Sequence, residues 1–582
     1  MARAKDRGTT DASRNDLQRP APRGYGLGMA YVPENPLIVQ GDHSLLLETQ
    51  NPHHEAARDD LLAFAELVKS PEYIHTWRLT ALSLWNAAAA GHTADEVLER
   101  LTRWAKYPIP ENIPVVIQEH MSRYGTLRLV SDGPTLRLEV DHPSDLQELL
   151  AIKAIADLIG KPVDDCAVKV HPRHRGELKQ VLTHLGHPVQ DLAGYTDGDA
   201  LEMALRTETP QGEPFQLRDY QIEAIDAFSQ GPGAGSGVIV LPCGAGKTLV
   251  GIGAMIRTGM RTLILCTGQT ALRQWKREIL RSTTLTEDQV GEYTSEVKQL
   301  RPVTLTTYQI LTWRPDQHSA PAHFPLFHRE NWGLIVYDEV HLLPAPIFRE
   351  TAMLQARRRL GLTATLVRED HRETDVFALV GPKRFDLPWK ILEHQGWIAQ
   401  ARCVEVRVPL SDPDRLRYVG ASARARFKIA ATNPRKTAIV DDLIERHEGR
   451  PTLVLGTYVD QLQWIARRFN LPIITGKTPK RQRNTLYGQF RNGETNVLVL
   501  SKVGNFAVDL PSASVAIQVS GTFGSRQEEA QRLGRVLRPK KGENQATFYT
   551  LVTSDTSEQE HAERRQLFLA EQGYPYRIEV VA

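Results

Sequence analysis

The sequence predicts an α/β protein in which two parallel-sheet lobes fill the C-terminal two-thirds, preceded by a helical, winged-helix-like domain and a small α/β domain. Three observations lead there. From about residue 238 onward, short apolar runs alternate with helical patterns, as repeated βα units do when they build a parallel sheet covered on both faces. One such run, 238–241, breaks at Pro242 into a glycine-rich turn before a helical run begins at Lys247. Finally, 582 residues are too many for one hydrophobic core, so several domains are expected.

Composition narrows the classes. The 71 Lys and Arg nearly balance the 69 Asp and Glu, so net charge argues for no particular partner and any basic surface is local. Cys166, Cys243, Cys266 and Cys403 form no C-x-x-C pair, which argues against a zinc ribbon, an iron–sulfur cluster or a disulfide framework and fits a reducing cytoplasm. No apolar run approaches a membrane span, and the first residues lack the core of a signal peptide.

Taken in order, residues 1–34 read as a disordered basic tail. Within 35–140, Ser70 and Pro71 read as a helix start, with Ile74, Trp77, Ala81 and Leu84 at helical spacing and Gly91 as the stop. Thr93 and Glu96 form a capping box for a second helix bearing Val97, Leu101 and Trp104. A third apolar stretch, 113–124, leads to two β-like runs, 126–130 and 135–140, joined through Asp132-Gly133. Three helices and a hairpin suggest a winged helix that touches DNA or docks a partner, or else a small helical domain with a covering hairpin.

Residues 141–206 read as the small α/β domain. Its cluster Lys169, His171, Arg173, His174 and Arg175 either meets phosphate or forms a solvated loop. His53, His54 and Glu55 lack a third ligand at suitable spacing, so no metal site is expected there.

The first lobe, 207–385, carries the phosphate cradle. In the loop of Pro242, Cys243, Gly244, Ala245 and Gly246, the glycines let backbone N–H groups approach phosphate oxygens, and the next helix adds a positive N-terminus. Lys247 is placed to reach the β and γ phosphates of ATP and Thr248 to offer its hydroxyl to Mg²⁺. The strict pattern would have glycine at Leu241. Upstream, the amide of Gln221 can donate and accept at once, matching an adenine edge. Downstream, the strand-like run 334–336 ends in Tyr337-Asp-Glu-Val-His341. Asp338 is expected to hold Mg²⁺ largely through water, Glu339 to deprotonate the attacking water, and His341 to link the site to neighbouring segments.

A linker with a short, basic, alanine-rich segment spans 386–440, and the second lobe, 441–582, resumes the alternation with expected strands at 452–455, 473–475, 497–500 and 514–519. It has no phosphate loop. Its contribution is Gly504, Asp509 and the arginines Arg532, Arg535 and Arg538, spaced to project to one side and, with Arg535 and Arg538 as fingers, to stabilise γ-phosphate charge when the lobes close.

Residues 217–553 resemble a superfamily 2 helicase motor. The strings LPCGAGKT, GLTATLVRED, SKVG followed by DLP, and QEEAQRLGRVLR resemble the xeroderma pigmentosum group B (XPB-type) helicases in their bacterial and archaeal style, and the likeness extends upstream to NPLIVQGDHSLLLET near residue 35. The resemblance implies two RecA-like lobes working as an ATP- and Mg²⁺-dependent 3′-to-5′ DNA helicase or translocase on forked or partly single-stranded DNA. It also implies DNA repair as the setting, in the cytoplasm at the nucleoid. Thr267, Gln269, Thr307, Tyr308 and Lys502 fall at its DNA-contact positions, and Arg368, Glu369 and Asp370 match its strand-separating RED motif. Residues 415–435 stand where the family has a thumb insertion, but are short. A duplex translocase that does not separate strands, and an ATP-gated clamp that loads a nuclease partner, are the alternatives.

Overall fold

The computed structural model describes residues 31–70, 73–133, 135–193, 198–230, 234–316, 322–343, 354, 356–364, 373–501, 513–521, 533–534, 544–574 and 576–581. Two seven-stranded, all-parallel sheets form its centre. The first runs Val290–Tyr293, Val303–Thr307, Thr262–Cys266, Leu334–Asp338, Arg358–Thr363, Ser236–Val240, Lys383–Asp386. Helices cover both faces, so the central strands are apolar throughout instead of alternating: every residue of Thr262–Cys266 is buried. The chain leaves Ser236–Val240 through the helix Lys247–Thr258 and re-enters the sheet three places away, at Thr262–Cys266. Register sets Val240 beside Thr363, and Leu362 beside Asp338. The carboxyl ends of three adjacent strands therefore share one rim, where open α/β sheets bind ligands.

The second sheet runs Ile473–Ile474, Val497–Ser501, Thr452–Gly456, Val515–Gln518, Gln545–Thr553, Gln400–Val408, Tyr576–Val580. The expected strands are present. Lys436, at the end of the basic segment, is no surface cation: its ammonium is fully buried, 2.8 Å from both carboxylate oxygens of Glu558.

The N-terminal part departs from expectation. Ile74–Arg78 is a strand, in a four-stranded antiparallel sheet ordered Leu37–Val39, Ser44–Glu48, Ile74–Arg78, Glu66–Lys69. His75 and Trp77 face inward in strict alternation, and this pairing overrides the helical spacing that Ile74 and Trp77 also satisfy. The helix begins only at Ala81–Ala89, capped by Thr80 and Ser83 instead of Ser70; Pro71 lies outside the described residues. Thr93 and Glu96 do cap Ala94–Trp104 as a box.

No winged helix forms from these parts. The hairpin Leu127–Asp132 with Thr135–Val140 joins a five-stranded sheet ordered Ile159–Asp164, Ala167–Val170, Thr135–Val140, Leu127–Asp132, Val189–Asp191. Its apolar face, Leu127, Leu129, Leu136 and Leu138, is completed by Leu178 and Leu182 from the later helix Arg175–His184. Hydrogen bonding thus divides the region near residue 124, not at 140. Arg175 leaves the supposed phosphate-binding cluster: it is buried, and its Nε and one Nη donate to Asp191 at 2.8 and 2.6 Å, with Lys179 Nζ also 2.8 Å from that carboxylate.

The N-terminal four-stranded unit touches both lobes. The backbone N–H of Lys383 donates to Asn86 Oδ1 at 2.8 Å, and Arg384 donates to the Ala89 carbonyl at 2.8 Å, on the edge strand of the first sheet. From the second lobe, Leu567 and Ala570 enter the N-terminal core, and Arg58 lies against Gly573.

Replacing Asp191 with Asn leaves two buried cations with a neutral partner. Denaturant unfolding should show a loss of about 3–5 kcal/mol, whereas Lys169→Ala, at an exposed position, should change stability by less than about 0.5 kcal/mol.

Candidate active site

The phosphate loop is shaped by backbone that favours glycine. Gly244 and Gly246 have φ of +86° and +81°, and a Cβ on Gly246 would stand 2.5 Å from Gln221 Nε2. Gly246 is the N-cap of Lys247–Thr258, so the N–H groups of that helix's first turn open onto the loop. Leu241, where the strict motif has glycine, is fully buried in the core.

Gln221 does not present a free amide. Its Nε2 donates to the Ala245 carbonyl at 3.0 Å, its Oε1 accepts from the Arg218 N–H at 3.0 Å, and it is 2% exposed. Tyr220 Oη donates to the same carbonyl at 2.8 Å. Gln221 thus braces the phosphate loop, with one protein partner at each end of its amide.

Lys247 and the acidic pair meet across the rim. Lys247 Nζ lies 3.7 Å from Glu339 Oε1. Burial works against its ammonium, but Cys243, Glu339 and Asp338 outweigh it and hold the group above the ordinary lysine value. Asp338 is pushed up to about 7, first by burial and then by the neighbouring Glu339 carboxylate, with Lys247 and Trp275 opposing. Glu339 itself has φ of +52°, a left-handed conformation that costs a non-glycine residue about 1 kcal/mol or more and turns its side chain across the strand end. Its Oε2 is buried without a hydrogen-bond partner among the described residues. A glycine cradle, a helix N-terminus, a half-buried lysine and two carboxylates fit a nucleotide triphosphate with Mg²⁺. Thr248, half-buried on the first helical turn, is the hydroxyl of that set.

His341 is buried on the turn after Glu339. Its Nδ1 is 2.5 Å from Thr363 Oγ1 and 3.5 Å from Glu339 Oε2, so it links the acidic turn to the neighbouring strand. Trp275 was not foreseen from sequence, and Tyr308 was expected only as a DNA contact. Trp275, 2% exposed, lies near the Asp338 carboxyl, whose ionised form it favours, and packs where Gly251 has no side chain. Tyr308 is also buried; its hydroxyl, which burial holds protonated, donates to the Asp338 carbonyl at 2.8 Å. Only the small size of Gly251 hinted at the first.

Of the expected DNA contacts, Gln269 is exposed at the start of Gln269–Ser282, and Thr267 is half-exposed. Thr307 and Tyr308 are 6% and 4% exposed, so their side chains face the protein, not an external strand. The exposed neighbour is Gln309, whose Nε2 lies 3.5 Å from the Thr267 carbonyl. From the second lobe, Leu533 is fully buried, and a Cβ on Gly534 would meet Cys243 Cβ at 2.2 Å. The middle of the arginine-rich string therefore lies directly on the phosphate loop. Arg532, Arg535, Arg538, Lys502, Gly504, Asp509, Arg368, Glu369 and Asp370 lie outside the described residues.

With this geometry in view, residues 392–581 match the family described as ERCC3/RAD25/XPB C-terminal helicase, and residues 214–368 match the res subunit of type III restriction enzymes. The chain is 53% identical over 548 residues to the DNA 3′-5′ helicase XPB of Kineococcus radiotolerans, covering 94% of this chain and 96% of that protein. It belongs to the XPB family. The XPB helicase of Mycobacterium tuberculosis is 51% identical, over 94% of this chain and 98% of its own. The Saccharomyces cerevisiae relative, a general transcription and DNA repair factor IIH helicase/translocase subunit, is 32% identical over 93% and 71% respectively. Residues 37–164 of this XPB-family chain also match a model described as a helicase conserved C-terminal domain, although the stretch stands near the start of the chain and spans the antiparallel N-terminal sheet. Among the described residues, no helix is long and apolar enough to cross a membrane.

Gly246→Ala should weaken binding of a fluorescent ATP analogue at least tenfold, because the substitution combines a left-handed backbone with a Cβ clash. Gly259→Ala, with φ of +63° but nothing within 4 Å of its Cβ, should leave that affinity within about twofold of wild type while costing roughly 1 kcal/mol of stability.

Proposed function

We propose that this chain is an ATP-dependent DNA helicase that moves 3′ to 5′ and separates strands at forks, with DNA repair as its setting. The observation that carries this is the split site: Lys247 and the Asp338–Glu339 turn stand on one lobe, and Gly534 from the other lobe lies against Cys243 of the phosphate loop. The names of the relatives, which include 3′-5′ DNA helicases and a DNA repair factor subunit, support the substrate and the direction.

In this reading the Pro242–Thr248 loop cradles the phosphates, and Lys247 neutralises charge at the β and γ positions. Magnesium, held through Thr248 and Asp338, supplies further charge neutralisation on the phosphates when bound. Glu339 takes a proton from the attacking water, and His341, 3.5 Å from its Oε2, holds the carboxylate in place. Arg535 and Arg538, flanking the segment that meets Cys243, stabilise the transferred charge, so neither lobe hydrolyses alone. Gln269, Thr267 and Lys502 grip the DNA backbone, and Arg368, Glu369 and Asp370 act where the strands part. Because the closed arrangement is favoured only with triphosphate bound, each cycle of closure and release shifts one grip relative to the other.

Forked substrates with a 3′ or a 5′ overhang test this directly. Unwinding should require ATP and the 3′ arm; triplex displacement on blunt duplex without fork unwinding would instead identify a pure duplex translocase. Glu339→Gln should keep ATP affinity and lower kcat by about 10²–10⁴-fold. Gly534→Ala should lower kcat at least tenfold with ATP affinity nearly unchanged, since its Cβ would wedge the lobes apart at Cys243; DNA-stimulated hydrolysis at the wild-type rate would refute the split site.

A further inference from the structure

Two buried aromatic residues hold opposite ends of one amino acid. Tyr308 Oη donates to the backbone carbonyl of Asp338 at 2.8 Å. The indole of Trp275 lies near the Asp338 carboxyl and favours its ionised form. Both are closely confined: Tyr308 is 4% exposed, and Trp275, at 2%, fills a slot that exists because Gly251 on the phosphate-loop helix has no Cβ, which would fall 2.4 Å from Trp275 Cη2. The Tyr308 hydroxyl is not needed for packing, since a phenyl ring would fill the same space.

The origin of the two aromatics matters more than their burial. Trp275 lies on Gln269–Ser282, less than two turns from the exposed Gln269 that opens the helix. Tyr308 opens the short helix Tyr308–Thr312 and is followed by the exposed Gln309, which reaches the Thr267 carbonyl. Two rim segments that approach each other at Thr267 and Gln309 therefore each send one buried aromatic inward, and both end on Asp338. A small rigid displacement of either segment changes the direction in which Asp338 presents its carboxylate. A helix and a strand-end turn transmit such a displacement, where a flexible loop would absorb it.

We propose that Trp275 and Tyr308 are positioning residues for Asp338, and that a DNA strand lying on the Thr267–Gln269 and Gln309 rim accelerates ATP turnover by setting that carboxylate through them. The inference rests on the proposed helicase reading for its DNA half. Trp275 sets the carboxylate oxygens, and Tyr308 sets the backbone from which they project. The pair thus also explains why a tryptophan stands on a helix whose other inward residues, Leu272 and Ile279, are aliphatic.

The test uses the full chain with Trp275→Phe, Tyr308→Phe and, as an independent route to the same defect, Gly251→Ala, which displaces the indole without altering it. Three readouts are taken: the Mg²⁺ concentration for half-maximal ATPase without DNA, the fold stimulation of kcat by single-stranded DNA, and DNA affinity by fluorescence anisotropy. We expect Trp275→Phe and Gly251→Ala to raise the half-saturating Mg²⁺ at least threefold, and all three variants to cut DNA stimulation at least fivefold, with DNA affinity within twofold of wild type. A purely structural role would lower folded fraction and maximal rate but leave half-saturating Mg²⁺ and the stimulation ratio unchanged, and that result would overturn the proposal. The Mg²⁺ titration contains no DNA, so it judges the contact to Asp338 even if the wild-type chain proved unstimulated by DNA, an outcome that would count against the helicase reading and remove the DNA half of this one.

Discussion

The arrangement of this protein depends on keeping a half-buried lysine charged. Lys247 lies at the root of the phosphate-loop helix, where burial alone would favour its neutral form, and Cys243 with the carboxylates of Glu339 and Asp338 holds the proton on it. Burial and the neighbouring Glu339 in turn raise Asp338, against the pull of the ammonium. Such a cluster is balanced only while its parts keep their spacing, and the structure spends several unusual features on that spacing. They are the left-handed Glu339, the His341–Thr363 contact, the Trp275 indole against Gly251, and the doubly braced Ala245 carbonyl. On the proposed reading, a polyphosphate with its metal would enter a site whose charges are already placed, which is where electrostatic stabilisation is strongest.

Among the described residues, the second lobe meets the phosphate loop at Gly534 and Cys243. At Gly534 and Cys243 the contact is backbone against a small residue, and any Cβ at 534 would intrude. A junction of this kind suits surfaces that must part and meet again, because it carries close geometry with little interlocking. The N-terminal unit adds a second connection, bonding the edge strand of one lobe through Asn86 and Ala89 while Leu567 and Ala570 of the other enter its core. Relative motion of the lobes therefore strains contacts well away from the nucleotide.

Particular residues show what could be read in advance. The loop from Pro242 to Thr248 and the Asp338–Glu339 pair were legible because each is a contiguous string whose spacing follows from backbone chemistry. The second lobe's strands were legible because doubly covered strands are continuous apolar runs. Ile74 and Trp77 misled because a three-residue interval fits a helix, while their neighbours fit a strand equally well; the pairing with Ser44–Glu48 decided it. Arg175 and Lys436 looked like surface cations because nothing nearby in sequence reveals Asp191 and Glu558 as partners, which lie 16 and 122 residues away. Thr307 and Tyr308 stood at a DNA-contact position by resemblance, yet their side chains turn inward.

By itself, then, the chain's order of residues pointed to the chemistry: a glycine loop leading into a helix, an acidic pair at a strand end, an arginine-rich string in the second lobe's sequence, and membership of a helicase family. Those are local properties, because glycine torsions, helix N-termini and strand ends act over a few residues. Only the tertiary structure decided which groups are held and which are free. It made Gln221 a brace, moved the 127–140 hairpin into the next sheet, and set Trp275 and Tyr308 on Asp338. The reason is that hydrogen-bond partners and burial come from packing between distant segments, and no local pattern records that packing.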